Sequence, residues 1–124
     1  MTTNGTLLTK EILRYLAMRK DFSILFSCDG NEYIQNTHRK TITGEGSFDK
    51  VNKIIPDLLH YYPKVVFRST ITPTTVSHLY DSYLFARDKG FLNYFFMPNC
   101  KQEWPQEAII ELGYQMSNIG YTMY

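Results

Sequence analysis

The sequence predicts an α/β fold with about three parallel strands alternating with four helices. Short apolar runs are separated by stretches with the spacing of amphipathic helices, an alternation typical of βα units. The apolar runs are continuous rather than alternating, as in parallel strands that are buried on both faces. The predicted strands comprise residues 22–27, 65–72 and 91–97.

The predicted helices carry start and stop signals. Thr9 is the expected N-cap of the first helix and Ser47 that of the second, because a hydroxyl oxygen can accept a free backbone N–H of the first turn. Thr74 or Thr75 is expected to cap the third helix, and Gly90 is expected to end it in a left-handed conformation.

Prolines and polar residues complete the predicted organisation. Pro56 lies within the apolar stripe of the second helix and is expected to kink or split it. Pro105 suits the first turn of the last helix, whose predicted apolar stripe is Ala108, Ile109, Leu112 and Met116. Residues 31–46 are predicted to form a polar loop.

Composition and charge exclude several classes of protein. The 124 residues suffice for one domain with a core, and 1–124 is predicted to be a single domain. A net charge of +1 without a basic run predicts no nucleic-acid partner, and the absence of a long apolar run predicts no membrane span. Two cysteines are too few for a disulfide framework, which predicts a cytoplasmic protein. The three histidines share no metal-ligand spacing, so no metal site is predicted.

Several short segments occur in a distinctive order. They are Thr-Asn-Gly-Thr-Leu-Leu at 3–8, Phe-Ser-Cys-Asp-Gly at 26–30, Arg39, Gly-Glu-Gly-Ser-Phe-Asp-Lys-Val at 44–51, Arg-Ser-Thr-Ile-Thr at 68–72 and Met-Pro at 97–98. In order and spacing they resemble the middle of a radical S-adenosylmethionine (SAM) barrel of the SPASM-associated type, such as the anaerobic sulfatase-maturating enzymes. Each motif is weak alone, but the set covers nearly the whole chain. The resemblance implies an internal fragment of a partial (β/α) barrel.

The same resemblance implies a chemistry for the parent enzyme. That family holds a [4Fe–4S] cluster through a CxxxCxxC motif, and SAM bound to the cluster yields a 5′-deoxyadenosyl radical that modifies a peptide or protein side chain. Cys28 and Cys100 cannot supply three closely spaced thiolates. The isolated chain is therefore expected to be inactive, to contain no catalytic residue, and to bind neither SAM nor the cluster tightly.

Four residues are candidates for binding the cofactor. By resemblance, Ser27 and Asp29 face the ribose and carboxylate of SAM, Arg68 pairs with that carboxylate, and Asn4 contacts SAM from the neighbouring turn. Ligands of parallel α/β folds do bind at the carboxyl ends of the strands. The alternatives are an ordinary Asp-Gly turn after the strand, and an arginine that extends to the rim or pairs with a local carboxylate.

A second functional hypothesis stays open beside the first. The chain can instead be a small cytoplasmic α/β binding or interaction module without catalytic activity. Under the first hypothesis, a sheet cut from a barrel exposes unpaired strand edges and apolar faces, which predicts a homo-oligomer, whereas a stable, cooperatively folding monomer would favour the second hypothesis.

Overall fold

A computed structural model describes all residues from Met1 to Tyr124. Four parallel strands form one sheet in the order β1-β2-β3-β4, which is also their order along the chain. The strands are β1 (Thr2–Thr3), β2 (Leu25–Ser27), β3 (Val66–Ile71) and β4 (Asn93–Pro98). The predicted α/β class with parallel strands is confirmed.

Helices connect successive strands, and one further helix follows β4. They are α1 (Lys10–Ala17), α2 (Glu32–His38), α3 (Phe48–Tyr61), α4 (Leu79–Lys89) and α5 (Gln106–Met123), with a short 3₁₀ turn at Val76–His78 before α4. Crossovers between parallel strands are almost always right-handed, and for strands that neighbour each other in chain order this rule puts the connecting helices on one face of the sheet. None of the helices has the length and apolar character needed to cross a bilayer.

The predicted count of about three strands is too low by one. Thr2 and Thr3 pair with Leu25 and Phe26, and the Met1 carbonyl accepts the Leu25 N–H at 2.8 Å. β1 consists of two threonines and contains no apolar run, so only its pairing with β2 identifies it as a strand.

The predicted count of four helices is also too low by one. Residues 32–38 of the supposed polar loop form α2, and the Asn31 side chain caps it by accepting the Ile34 N–H at 3.2 Å. Only Ile34 and Gln35 of this helix are buried, so it shows no apolar periodicity in the sequence. Pro56 does not split α3, which runs continuously past it with the proline exposed.

The predicted helix ends are confirmed at Thr9 and Gly90, where the capping residue acts on backbone groups next to it. The Thr9 hydroxyl accepts the Ile12 N–H at 3.2 Å, and Gly90 ends α4 with φ +105°. Thr75 precedes the 3₁₀ turn rather than a helix, and Ser47 precedes α3 without a side-chain cap. The last helix, α5, follows Pro105 as predicted.

Two apolar clusters lie between the sheet and the helices. The larger cluster contains every second residue of β2 and its flanks, Ile24, Phe26 and Cys28, packed with residues of α1 and α3. The smaller cluster joins the end of β3 to α4 and α5. On α5 the buried residues are Ala108, Gln115 and Ile119, and Leu112 packs against the smaller cluster. The predicted stripe is therefore correct for Ala108 and Leu112 and wrong for Ile109 and Met116, which are exposed. The buried Gln115 accepts the Tyr80 N–H at 2.9 Å and thereby fixes α5 to α4.

The other face of the sheet carries no helix. Residues alternate between the two faces of a strand, so Ser27, Arg68 and Phe95, which are aligned on neighbouring strands, share this second face. We call it the open face of the sheet. Phe95 is 49% exposed there. The candidate site lies at the carboxyl edge of the sheet, where the strands end.

Candidate functional site

Asp29 follows β2 and is committed to the protein itself. Its side chain is 4% exposed. One carboxylate oxygen accepts Arg39 Nε at 2.8 Å, and the other accepts Arg39 Nη2 at 3.2 Å and the Thr70 backbone N–H at 3.0 Å. The Asp29 carbonyl also accepts the hydroxyls of Ser69 and Ser82. Buried carboxylates require such partners, and Asp29 uses them to tie β2 to β3 and to the loop after α2.

Gln35 extends this network to the next helix. It is completely buried, accepts the Asp29 N–H at 2.8 Å and donates to the Ser47 hydroxyl at 3.0 Å. Ser47 in turn donates to the Arg39 carbonyl at 2.5 Å. The start of α3 is therefore fixed to the end of β2 through side chains rather than through a helix cap.

Sequence reasoning missed the contributions of Arg39 and Gln35 to this network. Arg39 was noted only as part of a motif. The signal that points to it is Asp29 itself, because a carboxylate that is buried at the end of a strand requires a compensating partner nearby. Gln35 has no comparable signal, since a glutamine in a polar segment is ordinarily solvent-exposed.

Ser27 and Arg68 are brought together on the open face. They are register partners on β2 and β3. Ser27 is 7% exposed, and its hydroxyl makes no hydrogen bond. Arg68 is half-buried; its guanidinium reaches only the Met97 sulfur, at 3.9 Å, and it pairs with no carboxylate. A guanidinium without an anionic partner beside an unpaired hydroxyl presents donors suited to a ligand carboxylate.

Asn4 directly follows β1, and the parallel register with β2 places its backbone next to Ser27. Its Oδ1 accepts the Thr6 N–H at 3.1 Å and the Thr6 hydroxyl at 2.9 Å, in a turn that Gly5 closes with φ +79°. Asn4 lines a cleft of about 640 Å³ formed by the turn after β1, the loop after α2 and the start of α3. Ser27, Asp29 and Arg68 do not line this cleft. That the four residues bind a cofactor stays a prediction.

The residues of the chain do not fit an iron–sulfur cluster. Cys28 is fully buried, and desolvation raises the pKa of its thiol to about 12. Its thiol donates to the Gly30 carbonyl at 3.8 Å. Cys100 is exposed, and no group of three or more His, Cys, Asp or Glu residues is arranged to hold a metal. A cubane cluster requires several convergent thiolates, which these two cysteines do not provide.

Known proteins resemble this chain in sequence. No protein-family model matches it. Cysteine-type anaerobic sulfatase-maturating enzymes from two strains of Clostridium perfringens, ATCC 13124 and strain 13, are each 29% identical over 91 residues, or 73% of the chain. The chain resembles a segment of an anaerobic sulfatase-maturating enzyme. The chain spans about a quarter of the length of these relatives, 24% in each case.

Solved structures share the fold. One is a structure of a protein called anSMEcpe with bound AdoMet, which is SAM. It superposes at a TM-score of 0.84 with 21% identity, and the match covers 98% of this chain and 34% of that one. A structure of native anSMEcpe with AdoMet and the Cp18Cys peptide gives a TM-score of 0.82 with 23% identity, covering 98% and 36%. The radical SAM resemblance and the partial barrel fold are therefore confirmed.

Proposed function

We propose that this chain forms part of the barrel of a radical SAM enzyme that modifies a peptide or protein side chain. The similarity to sulfatase-maturating enzymes supports this assignment, and so does the parallel sheet with polar residues at its carboxyl edge. The single observation that carries it is Arg68, a half-buried cation without an anionic partner on the open face. The two free cysteines are consistent with a reducing, cytoplasmic compartment.

The residues of the open face have distinct tasks in this proposal. Arg68 binds the carboxylate of SAM through its planar guanidinium, and the Ser27 hydroxyl bonds a polar group of the same molecule. Asp29 holds the end of β2 in place through Arg39 and Thr70, and its contact with the ribose remains part of the prediction. Asn4 approaches from the turn after β1.

SAM, when bound and reduced, supplies the 5′-deoxyadenosyl radical. The residues of this chain bind and orient the cofactor. The apolar side chains that share the open face with Arg68, namely Leu25, Val66, Phe95 and Met97, provide a surface that limits the access of water to it. No step is assigned to a cluster, because the cysteines present do not fit one.

Titration calorimetry of the chain with SAM tests the proposal. We expect weak binding that disappears in Arg68→Met, which removes the charge but keeps the apolar stem, and that weakens in Ser27→Ala and Asp29→Ala. Arg14→Met is the matched control, because Arg14 is exposed on α1 and pairs with no carboxylate. Tight binding that is unchanged in Arg68→Met and Asp29→Ala contradicts the assignment.

A further inference from the structure

We propose that the cleft beside the carboxyl edge binds an acidic segment of a polypeptide substrate through Lys40 and Lys50. The proposal rests on the proposed function for its choice of a polypeptide as the occupant. The cleft includes Asn4, a residue of the proposed cofactor site, but neither Ser27 nor Arg68 lines it.

The charges of the cleft favour an anionic occupant. Its lining contains three permanently cationic side chains, Arg39, Lys40 and Lys50, and one carboxylate, Glu45. Asp29 already offsets Arg39. Lys40 and Lys50 are exposed and pair with no carboxylate, Glu45 included. The cleft therefore presents two uncompensated cations against a single opposing charge, and such a field attracts and orients an acidic ligand.

The size and lining of the cleft favour a peptide over a small anion. A volume of about 640 Å³ exceeds what one carboxylate or phosphate group fills. The two apolar lining residues, Leu7 and Ile42, are almost wholly exposed, with Leu7 at 86%. A chain that carries both acidic and apolar side chains can satisfy the lysines and cover these two residues at the same time.

One wall of the cleft is built to keep its shape. Lys40 and Gly46 form an antiparallel bridge, and the Thr41 N–H donates to the Glu45 carbonyl at 2.6 Å. The base of this hairpin is fixed by Asn36, whose side chain accepts the Phe48 N–H at 3.0 Å and packs directly against Gly46. A preformed wall lowers the cost of ordering the site when a ligand binds.

Fluorescence anisotropy with labelled peptides tests the proposal on the full chain. The probes are a short glutamate-rich peptide containing one leucine, its glutamine counterpart and its lysine counterpart. We expect the glutamate peptide to bind at least about 5-fold more tightly than the glutamine peptide, and the lysine peptide not to bind. Added salt should weaken the binding of the glutamate peptide, because exposed charges are screened.

Charge reversal locates the binding surface. The double variant Lys40→Glu/Lys50→Glu should weaken binding of the glutamate peptide by about 10-fold or more. The control Lys20→Glu/Lys101→Glu makes the same change in net charge at two exposed lysines that do not line the cleft, and should change binding less than about 2-fold. Circular dichroism and thermal melts of both double variants verify that they fold.

Three results would overturn the proposal. The first is equal binding of the glutamate and glutamine peptides. The second is an equal loss of affinity for the glutamate peptide in the two double variants. The third is inorganic phosphate that binds as tightly as the peptide and displaces it. Loss of SAM binding is measured separately with Arg68→Met. If SAM fails to bind while the acidic peptide still depends on Lys40 and Lys50, the proposed function fails and the acidic-segment site stands.

Discussion

Asp29 and Arg39 form a two-point ion pair, with Arg39 Nε and Nη2 at 2.8 and 3.2 Å from the two carboxylate oxygens. The same carboxylate accepts the Thr70 N–H from the neighbouring strand at 3.0 Å. One buried side chain thus joins the ends of β2 and β3 to the loop that begins after α2. This pair therefore helps to fix the geometry of the carboxyl edge.

Removing the cation should destabilise the protein strongly. In Arg39→Met the Asp29 carboxylate stays buried without its main partner, and we expect a loss of about 2–4 kcal/mol in the free energy of unfolding. Adding Asp29→Asn to the Arg39→Met variant should restore part of the lost free energy of unfolding, because the uncompensated charge is gone. Urea unfolding measures both variants. Arg14→Met on the surface is the control, and an equally small effect of Arg39→Met would contradict the role of the pair.

Two glycines should respond oppositely to alanine. A Cβ at Gly46 would overlap the amide group of Asn36, whereas a Cβ at Gly113 on α5 meets nothing within 4 Å. Gly46→Ala should therefore destabilise the fold by about 1–3 kcal/mol through overpacking. Gly113→Ala should stabilise it by about 0.5–1 kcal/mol, since alanine favours the helix. Thermal melts compare the two, and stabilisation by Gly46→Ala would show that the hairpin base is not closely packed.

The stability of the protein should fall at alkaline pH because of Cys28. Burial raises the pKa of its thiol to about 12, whereas an unfolded thiol ionises near about 8.5. Below pH about 8.5 the thiol is protonated in both states and contributes no pH dependence. Between the two pKa values the unfolded state binds fewer protons, so stability decreases by up to about 1.4 kcal/mol per pH unit.

Denaturant unfolding across that pH range checks this expectation. Cys28→Ala should remove the part of the decrease in stability with pH that comes from this thiol. The variant should also be less stable at every pH, because it leaves a cavity. Cys100→Ala should keep the slope, because Cys100 is exposed. Identical slopes in the two variants would exclude Cys28 as the cause.

Anaerobic reconstitution with iron and sulfide should leave the chain without a stable [4Fe–4S] species. Cys28 is protonated and buried, and Cys100 alone cannot anchor a cubane. Absorption spectra after desalting provide the measurement. A stoichiometric cubane spectrum that survives desalting would refute the prediction.

The chain should self-associate through β4 and the open face. β4 ends the sheet order, so one edge of this six-residue strand has no partner, and its Phe95 is 49% exposed on the open face. Unpaired edges with apolar neighbours favour pairing with a second copy. Light scattering at micromolar concentration should detect a dimer or larger assembly, and Phe95→Lys should shift it toward monomer. Leu92→Lys, at another exposed apolar residue just before β4, is the matched control. A cooperatively folding monomer of the unmodified chain would contradict the prediction.

Local sequence patterns are sufficient to predict helix ends and strands where neighbouring residues decide the conformation. The hydroxyl of Thr9 caps α1, and Gly90 ends α4, because each acts on backbone groups within a few residues. Continuous apolar runs likewise located β2, β3 and β4. The order of short motifs is also sufficient for the radical SAM resemblance.

By itself the sequence thus determined the α/β class, the three apolar strands and the related family. Only the tertiary structure decided that Thr2 and Thr3 form a strand, since two polar residues gain that conformation from their partner β2. It also decided that Asp29 faces Arg39 and that Arg68 lacks an ion pair. The pairing of β1 with β2 joins residues far apart along the chain, and the energy of the Asp29–Arg39 pair depends on burial and distance, which local sequence patterns do not contain.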